Sequence, residues 1–226
     1  MDKYIILSEK EWHKNLFINL QNKIEGTWLL IDAIEKFNLK LLKEFNPSKI
    51  FIPHWSNIIP NEIYENFECI LFHMTDLPFG RGGSPLQNLI DKGYKSTKIS
   101  AIKVEKGLDT GDIYLKRELS LNGTAREIFE NSSLIIGEMI NEIISKKIKP
   151  VIQVGEVTKF KRRKPEDGNI NSLNDLEKIY DYIRMLDCDG YPNAFLETSS
   201  FKFEFNNADF KENEKIIKAN VRIFKK

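Results

Sequence analysis

Cys69-Ile70-Leu71-Phe72-His73 reads as a buried β-strand that ends on an imidazole, and Met74-Thr75-Asp76-Leu77-Pro78-Phe79-Gly80-Arg81-Gly82-Gly83-Ser84-Pro85 follows it as a glycine-rich loop. A short, β-compatible apolar run bounded by turn-forming residues is what a strand covered on both faces requires. The loop opens an amphipathic helix, Leu86 to Ile90, and a strand over Ile99 to Val104 then leads into Gly107-Leu108-Asp109-Thr110-Gly111-Asp112. This stretch offers an imidazole and a carboxylate beside a flexible backbone, on loops that a sheet can bring together. An imidazole titrating near neutrality can take and return a proton. A carboxylate beside it sets its tautomer and steadies its cation, as general acid-base catalysis needs. The glycines let backbone amides approach a ligand closely.

Upstream, Tyr4-Ile5-Ile6-Leu7, Trp28-Leu29-Leu30-Ile31 and Ile50-Phe51-Ile52 read as three further strands. Between them lie a helix over Glu9 to Ile24, with Trp12, Leu16, Phe17 and Leu20 on one face, and a helix from about Leu39 to Phe45. Alternating strands and helices predict an α/β fold with a mostly parallel twisted sheet. Ligands gather beyond the carboxyl ends of such strands, and both His54 and His73 fall there. His13 is read as a surface residue. No GxGxxG follows the first strand, so a dinucleotide site lacks its main support.

The chain has 226 residues, 41% of them hydrophobic and 30% charged, enough for one substantial core and a small appendage. A formal charge of +1 gives no global reason to expect a nucleic acid or an anionic membrane as partner. No apolar run approaches the ~20 residues of a transmembrane helix, and Met1-Asp2-Lys3 leads into a strand rather than a signal peptide. The two cysteines, Cys69 and Cys188, fall in separate elements and form neither a disulfide framework nor a CxxC site, so a reducing cytoplasm is expected. No cluster has metal-ligand spacing, and no metal is expected.

Downstream, Ile113 to Leu119 reads as an edge strand, and Thr124 with Glu127 forms a capping box that opens a long apolar helix. Beyond Pro150 the composition shifts. Phe160-Lys161-Arg162-Arg163-Lys164-Pro165-Glu166-Asp167-Gly168 places four cations in a row on a loop, either a solvated face or a grip for phosphate oxygens. A helix over Leu173 to Leu186 and a strand over Phe201 to Phe205 follow. The expected division is a catalytic domain at 1–150 and a C-terminal extension of helix and strands at 151–226.

His73 with Leu77-Pro78, Arg81-Gly82 and Pro85, followed by Gly107-Leu108-Asp109-Thr110-Gly111-Asp112, resembles the catalytic core of the folate-dependent formyltransferases. The resemblance implies a Rossmann-like fold and transfer of a formyl group from N10-formyltetrahydrofolate to an amine, with His73 and Asp109 as catalytic residues. The Asn that the family carries two residues before its histidine is Leu71 here, and His54, with Asn57 as the second choice, is the candidate to supply the missing donor to the formyl oxygen. The stretch from Pro53 to Pro60 occupies the place of the family's folate loop, which assigns Trp55, Ser56, Ile58 and Ile59, with Asp109, to the folate. Thr75, Arg81, Gly82 and Gly83 would shape the acceptor site. Arg162 and Arg163 lie in a segment similar to that of formyltransferases acting on nucleotide-linked amino sugars. With fewer than ~40 residues after Tyr191-Pro192, too few for a tRNA-binding module, the expected acceptor is a UDP- or dTDP-linked amino dideoxy sugar, with no nucleic acid and no membrane as partner. A homodimer is compatible with this reading. A catalytically altered homologue that binds folate or nucleotide sugar, and a formyltetrahydrofolate hydrolase, are the alternatives.

Overall fold

The computed structural model describes residues 1–226, apart from the side chain at position 212. In chain order the elements are β1 (Lys3–Leu7), α1 (Trp12–Lys23), β2 (Thr27–Ile31), α2 (Leu39–Phe45), β3 (Lys49–Ile52), α3 (Asn61–Tyr64) and β4 (Cys69–His73). Then come β5 (Arg81–Gly82), α4 (Pro85–Asp91), β6 (Ser96–Lys103), β7 (Ile113–Ser120) and α5 (Ala125–Ser145). The chain closes with β8 (Lys159–Phe160), α6 (Leu176–Arg184), β9 (Ala194–Glu197), β10 (Phe201–Lys211) and β11 (Ile216–Lys225).

Six strands form the main sheet in the order β2-β1-β3-β4-β6-β7. β1 pairs in parallel with β2 and β3, and β3 in parallel with β4, whereas β4 meets β6 antiparallel with His73 opposite Ser100. The apolar runs predicted as buried strands are the central ones. Ile5, Ile6, Leu7, Ile50, Phe51, Ile52 and Ile70 are fully buried, and each side chain removed from water in this way contributes about 1.5–3 kcal/mol. Ile5, Leu7, Ile31, Leu42, Ile50, Ile52 and Ile63 form one core cluster, against which Phe37 and Trp55 pack. β7 lies at the edge, as its charges suggested.

Local chemistry sets the helix ends. The Asn38 side chain accepts the Leu41 amide at 3.0 Å to start α2, and Asn46, at φ 53°, closes it. The Glu127 carboxylate accepts the Thr124 amide at 2.8 Å while the Thr124 hydroxyl accepts that of Glu127 at 3.3 Å, so the capping box opens α5. α1 begins at Trp12 rather than near Glu9, because the Ser8 hydroxyl takes the Lys10 amide and holds the chain in a turn.

The chain divides into two compact units, one of 1–82, 97–119 and 130–159, the other of 83–96, 120–129 and 160–226. Two segments early in the chain, 83–96 and 120–129, thus belong to the second unit. Within it, Arg184 explains the membership of 120–129. It pairs with buried Asp181 at 2.7 Å and donates to the carbonyls of Leu121 and Gly123. β9, β10 and β11 form an antiparallel sheet in the order β11-β10-β9. β11 carries no predicted strand, because Lys218, Asn220 and Arg222 interrupt its apolar residues and both its faces are largely exposed.

Candidate active site

β4 is hydrogen-bonded on both sides, so its last residue has a fixed position at the carboxyl end of the sheet. His73 Nε2 lies 2.9 Å from the carbonyl oxygen of Gly80. That carbonyl accepts, so Nε2 carries the proton there and Nδ1 is left for other work. Nδ1 faces Asp109 Oδ2 at 3.6 Å, with the two side chains only 8% and 5% exposed. At this separation the two groups face each other without a hydrogen bond. The same carboxylate oxygen accepts the Gly82 amide at 2.8 Å. Two hydrogen bonds, His73 to the Gly80 carbonyl and the Gly82 amide to Asp109, thus hold the imidazole and the carboxylate face to face.

The loops that build it are held firmly. The Thr158 hydroxyl and carbonyl accept the amides of Gly80 and Arg81 at 2.7 and 3.0 Å. Ser100 donates to the Thr75 carbonyl at 2.7 Å and accepts the Leu77 amide. On the other loop Asp109 has φ 55°, a left-handed conformation that Asp tolerates better than most residues. Gly111 lies against the Lys103 carbonyl oxygen, 1.7 Å from where a Cβ would stand, so only glycine fits.

Of the residues expected at the site, His73, Asp109 and Gly82 meet directly. Arg81 is beside them, its guanidinium donating to Gln153 Oε1 at 2.7 Å. Thr75 is fully buried and donates to the Gly80 carbonyl, so it supports the loop from below. Leu71, at the position of the family's Asn, packs with the core and carries no donor. His54 follows Ile52 by two residues as His73 follows Leu71, and Ile52 is paired with Leu71 in register. Its ring lies among Trp12 and His13, with centroids 6.1 and 6.5 Å away. Burial, with the Lys10 charge, pushes the His54 imidazole down to about 3.

His13 departs from its surface reading. It is buried, with Nδ1 2.7 Å from the Ser8 hydroxyl, because the first turn of α1 packs on the end of β1. On the loop after β3, Ser56 and Ile58 are exposed, Trp55 packs edge-on against Phe37, and Ile59 is a core residue whose side chain is closed to solvent. Gln153 was missed, since a lone glutamine in an irregular segment carries no spacing signal.

Gly83, Arg162 and Arg163 belong to the second unit. A Cβ on Gly83 would meet Arg162 Cβ at 2.6 Å. Arg163 is engaged by Asp91 at 3.1 Å, the Asp167 carbonyl at 2.6 Å and the Tyr182 ring at 5.1 Å. With Asn88, Lys161, Arg162, Asn169 and Ser172 it lines a polar cavity of about 540 Å³. Among the described residues no group of three or more His, Cys, Asp and Glu is placed to hold a metal ion, and no helix is long and apolar enough to cross a membrane. Both cysteines are buried and neither is in a disulfide, and burial pushes the Cys69 thiol up to about 12.

An imidazole and a carboxylate meet at the carboxyl end of an α/β sheet, with the Gly82 amide on the carboxylate, an arrangement chemically able to move a proton. Residues 30–127 match the family model described as formyl transferase, and residues 165–224 match the one described as methionyl-tRNA formyltransferase, C-terminal domain. The solved methionyl-tRNA formyltransferase from Clostridium thermocellum is 49% identical, with a TM-score of 0.96 and all of both chains covered. The chain belongs to the formyltransferase family. The curated methionyl-tRNA formyltransferase of Thermodesulfovibrio yellowstonii is 36% identical over 154 residues, which is 65% of this chain and 50% of that one. This chain spans about half the length of the curated relatives it matches first. HypX from Aquifex aeolicus, solved in complex with tetrahydrofolic acid, shares the fold at 17% identity and a TM-score of 0.74, over 91% of this chain and 37% of its own.

These relatives correct the expected acceptor. A UDP- or dTDP-linked amino sugar in glycan synthesis, with nucleic acid excluded as partner, does not stand against relatives named methionyl-tRNA formyltransferases. Two premises behind the sugar fail. The stretch after Tyr191-Pro192 is short for a module, yet 165–224 match a C-terminal domain of that description and carry a three-stranded sheet. Net charge is an average over the chain. Residues 215–226 contain five cations, Lys215, Lys218, Arg222, Lys225 and Lys226, and no carboxylate.

Proposed function

We propose that this chain transfers the formyl group of N10-formyltetrahydrofolate, the family's donor, to the α-amine of methionyl-tRNA, with His73 and Asp109 as its catalytic residues. The observation that carries the reading is the buried His73–Asp109 pair fixed on the Gly80 carbonyl and the Gly82 amide. The acceptor rests on the 49% identical relative that spans the whole chain, supported by the cationic edge strand β11, whose charges suit a phosphate backbone. A cytoplasmic setting, where charged tRNA is made, belongs to the same proposal.

The chemistry follows from the arrangement. A neutral amine attacks the formyl carbon and the carbonyl oxygen becomes an oxyanion, after which the proton lost by the amine must reach the departing folate nitrogen. His73 Nδ1 is the basic nitrogen available to carry that proton, since Nε2–H is occupied by the Gly80 carbonyl. Asp109 lies beside it and stabilises the imidazolium that forms. A positioned donor to the oxyanion is typically worth about 2.7–4 kcal/mol of barrier, and Leu71 cannot supply one. His54 is the proposed replacement. Its low proton affinity keeps it neutral at physiological pH, with one ring N–H to donate. For the folate, Trp55, Ser56 and Ile58 are the proposed contacts, supported by the exposed apolar side chain of Ile58 on a loop beyond the strand ends. In the first unit Arg81 and Gly82 are proposed for the acceptor, and in the second unit, considered by itself, so are Gly83, Arg162 and Arg163.

Incubating the protein with N10-formyltetrahydrofolate and methionyl-tRNA should add the mass of one formyl group to the methionine. Formate released without transfer would refute the reading in favour of hydrolysis. Replacing His54 by Ala should lower kcat by more than about tenfold, some 1.4 kcal/mol of barrier; a smaller loss removes His54 from the mechanism.

A further inference from the structure

Asp109 lies on a loop with no regular hydrogen bonding of its own, in a left-handed conformation, yet its carboxylate must be held against His73. Such a conformation persists only where the surroundings over-determine it. One side chain supplies two of the hydrogen bonds that hold it. Gln153 Nε2 donates to the carbonyls of Asp109 and Gly111, at 2.9 and 2.8 Å, so both its amide protons are used. Its Oε1 accepts from Arg81 Nη2 at 2.7 Å and from Nε at 3.3 Å. Gln153 thus ties together the two loops that carry the site, one on each side of the His73–Asp109 pair.

The backbone of Gln153 is itself anchored. Val151 exchanges two hydrogen bonds with Ile113, at 2.7 and 2.9 Å, and Thr158 accepts from Gly80 and Arg81. Ile152 and Val154 point outward, 74% and 82% exposed, which turns the intervening glutamine inward. We propose that Gln153 is a positioning residue of the formyltransferase site, fixing the Gly107–Asp112 loop so that the Asp109 carboxylate stays on His73 and on the Gly82 amide. The inference rests on the reading of His73 and Asp109 as the catalytic pair, and it goes beyond that reading by naming what holds them.

The test is a double-mutant cycle on the full chain, with Gln153→Leu, Asp109→Asn and the two combined. Gln153→Leu should lower kcat by about tenfold or more, with KM for the formyl donor and for methionyl-tRNA changed by less than about twofold. In the Asp109→Asn background the same change should cost less than about twofold, because there is no carboxylate left to position. Gln153→Glu keeps the acceptor for Arg81 and loses the donors, so it should behave like Gln153→Leu should that variant fail to fold. A readout without catalysis is amide exchange at Gly82, whose N–H is protected by the Asp109 carboxylate and should exchange about tenfold faster in either variant. Equal losses in both backgrounds, an unchanged kcat, or unchanged Gly82 protection would overturn the proposal. Absence of formyl transfer by the wild-type chain would instead defeat the functional reading, and Gly82 exchange would then decide the positioning role alone.

Discussion

Acidification from pH 7 to 5 should cost this protein several kcal/mol of stability through two histidines far from any carboxylate titration. His13 is 1% exposed, with the Ser8 hydroxyl on its Nδ1 and Trp12 and His54 as ring neighbours. Burial first, then the charges of His54 and Lys10, push its imidazole from 6.5 to about 3. His54 is pushed equally far, by burial and then Lys10. Both folded-state values are depressed. The unfolded chain therefore takes up protons below about 6.5 that the native protein refuses until about 3, and stability falls as pH drops through that window. At pH 5, some 1.5 units into it, each histidine costs about 2 kcal/mol, or roughly 4 for both, at about 1.4 kcal/mol per unit. Asp76, Asp91 and Glu127, whose partners hold their carboxyls below the usual range, titrate lower still and leave the interval from 6.5 to 5 to the histidines. Urea unfolding followed by tryptophan fluorescence at pH 7, 6 and 5 measures the slope. His13→Gln keeps a polar partner for Ser8 and cannot titrate, so it should reduce the slope by about 1.4 kcal/mol per pH unit. A wild-type stability that is flat from 7 to 5, or an unchanged slope in His13→Gln, would show that burial does not hold these imidazoles neutral.

Other perturbations draw on the same geometry. Gly111→Ala puts a methyl into the Lys103 carbonyl oxygen, with 1.7 Å available, and should cost about 3 kcal/mol in urea unfolding while displacing the Asp109 loop. Arg184→Met leaves Asp181 buried and unpaired and strands the Leu121 and Gly123 carbonyls, so a loss of about 3–5 kcal/mol is expected in the same assay. Replacing Lys215, Lys218 and Lys225 by Ala should flatten the dependence of methionyl-tRNA affinity on salt, by roughly 0.9 in the log-log slope for each phosphate no longer neutralised. An unchanged slope would take β11 out of the nucleic-acid surface.

The sheet was legible because its central strands are continuous apolar runs, a pattern that a parallel sheet covered on both faces demands and little else explains. Ile50-Phe51-Ile52 and Cys69-Ile70-Leu71-Phe72 are neighbours for that reason, and the imidazole at the end of the second is where chain order placed it. The capping box at Thr124 was equally plain, being a local device. What escaped was non-local. His13 is buried because the first turn of α1 closes on the end of β1, which no periodicity in α1 announces. Gln153 acts through backbone carbonyls 42 and 44 residues away. β11 alternates charge with apolar side chains on two wet faces, so its strand character comes from pairing with β10. The acceptor was misjudged because a net charge of +1 conceals a basic final strand.

Whether His73 and Asp109 move a formyl group onto an amine is read from single-turnover transfer from N10-formyltetrahydrofolate to methionyl-tRNA, by the wild-type chain and by His73→Ala and Asp109→Asn. The expected result is N-formylmethionyl-tRNA with the wild type and a rate lower by about 10²–10⁴ in each variant, the range for loss of a positioned acid-base group. Variants as fast as the wild type would contradict it.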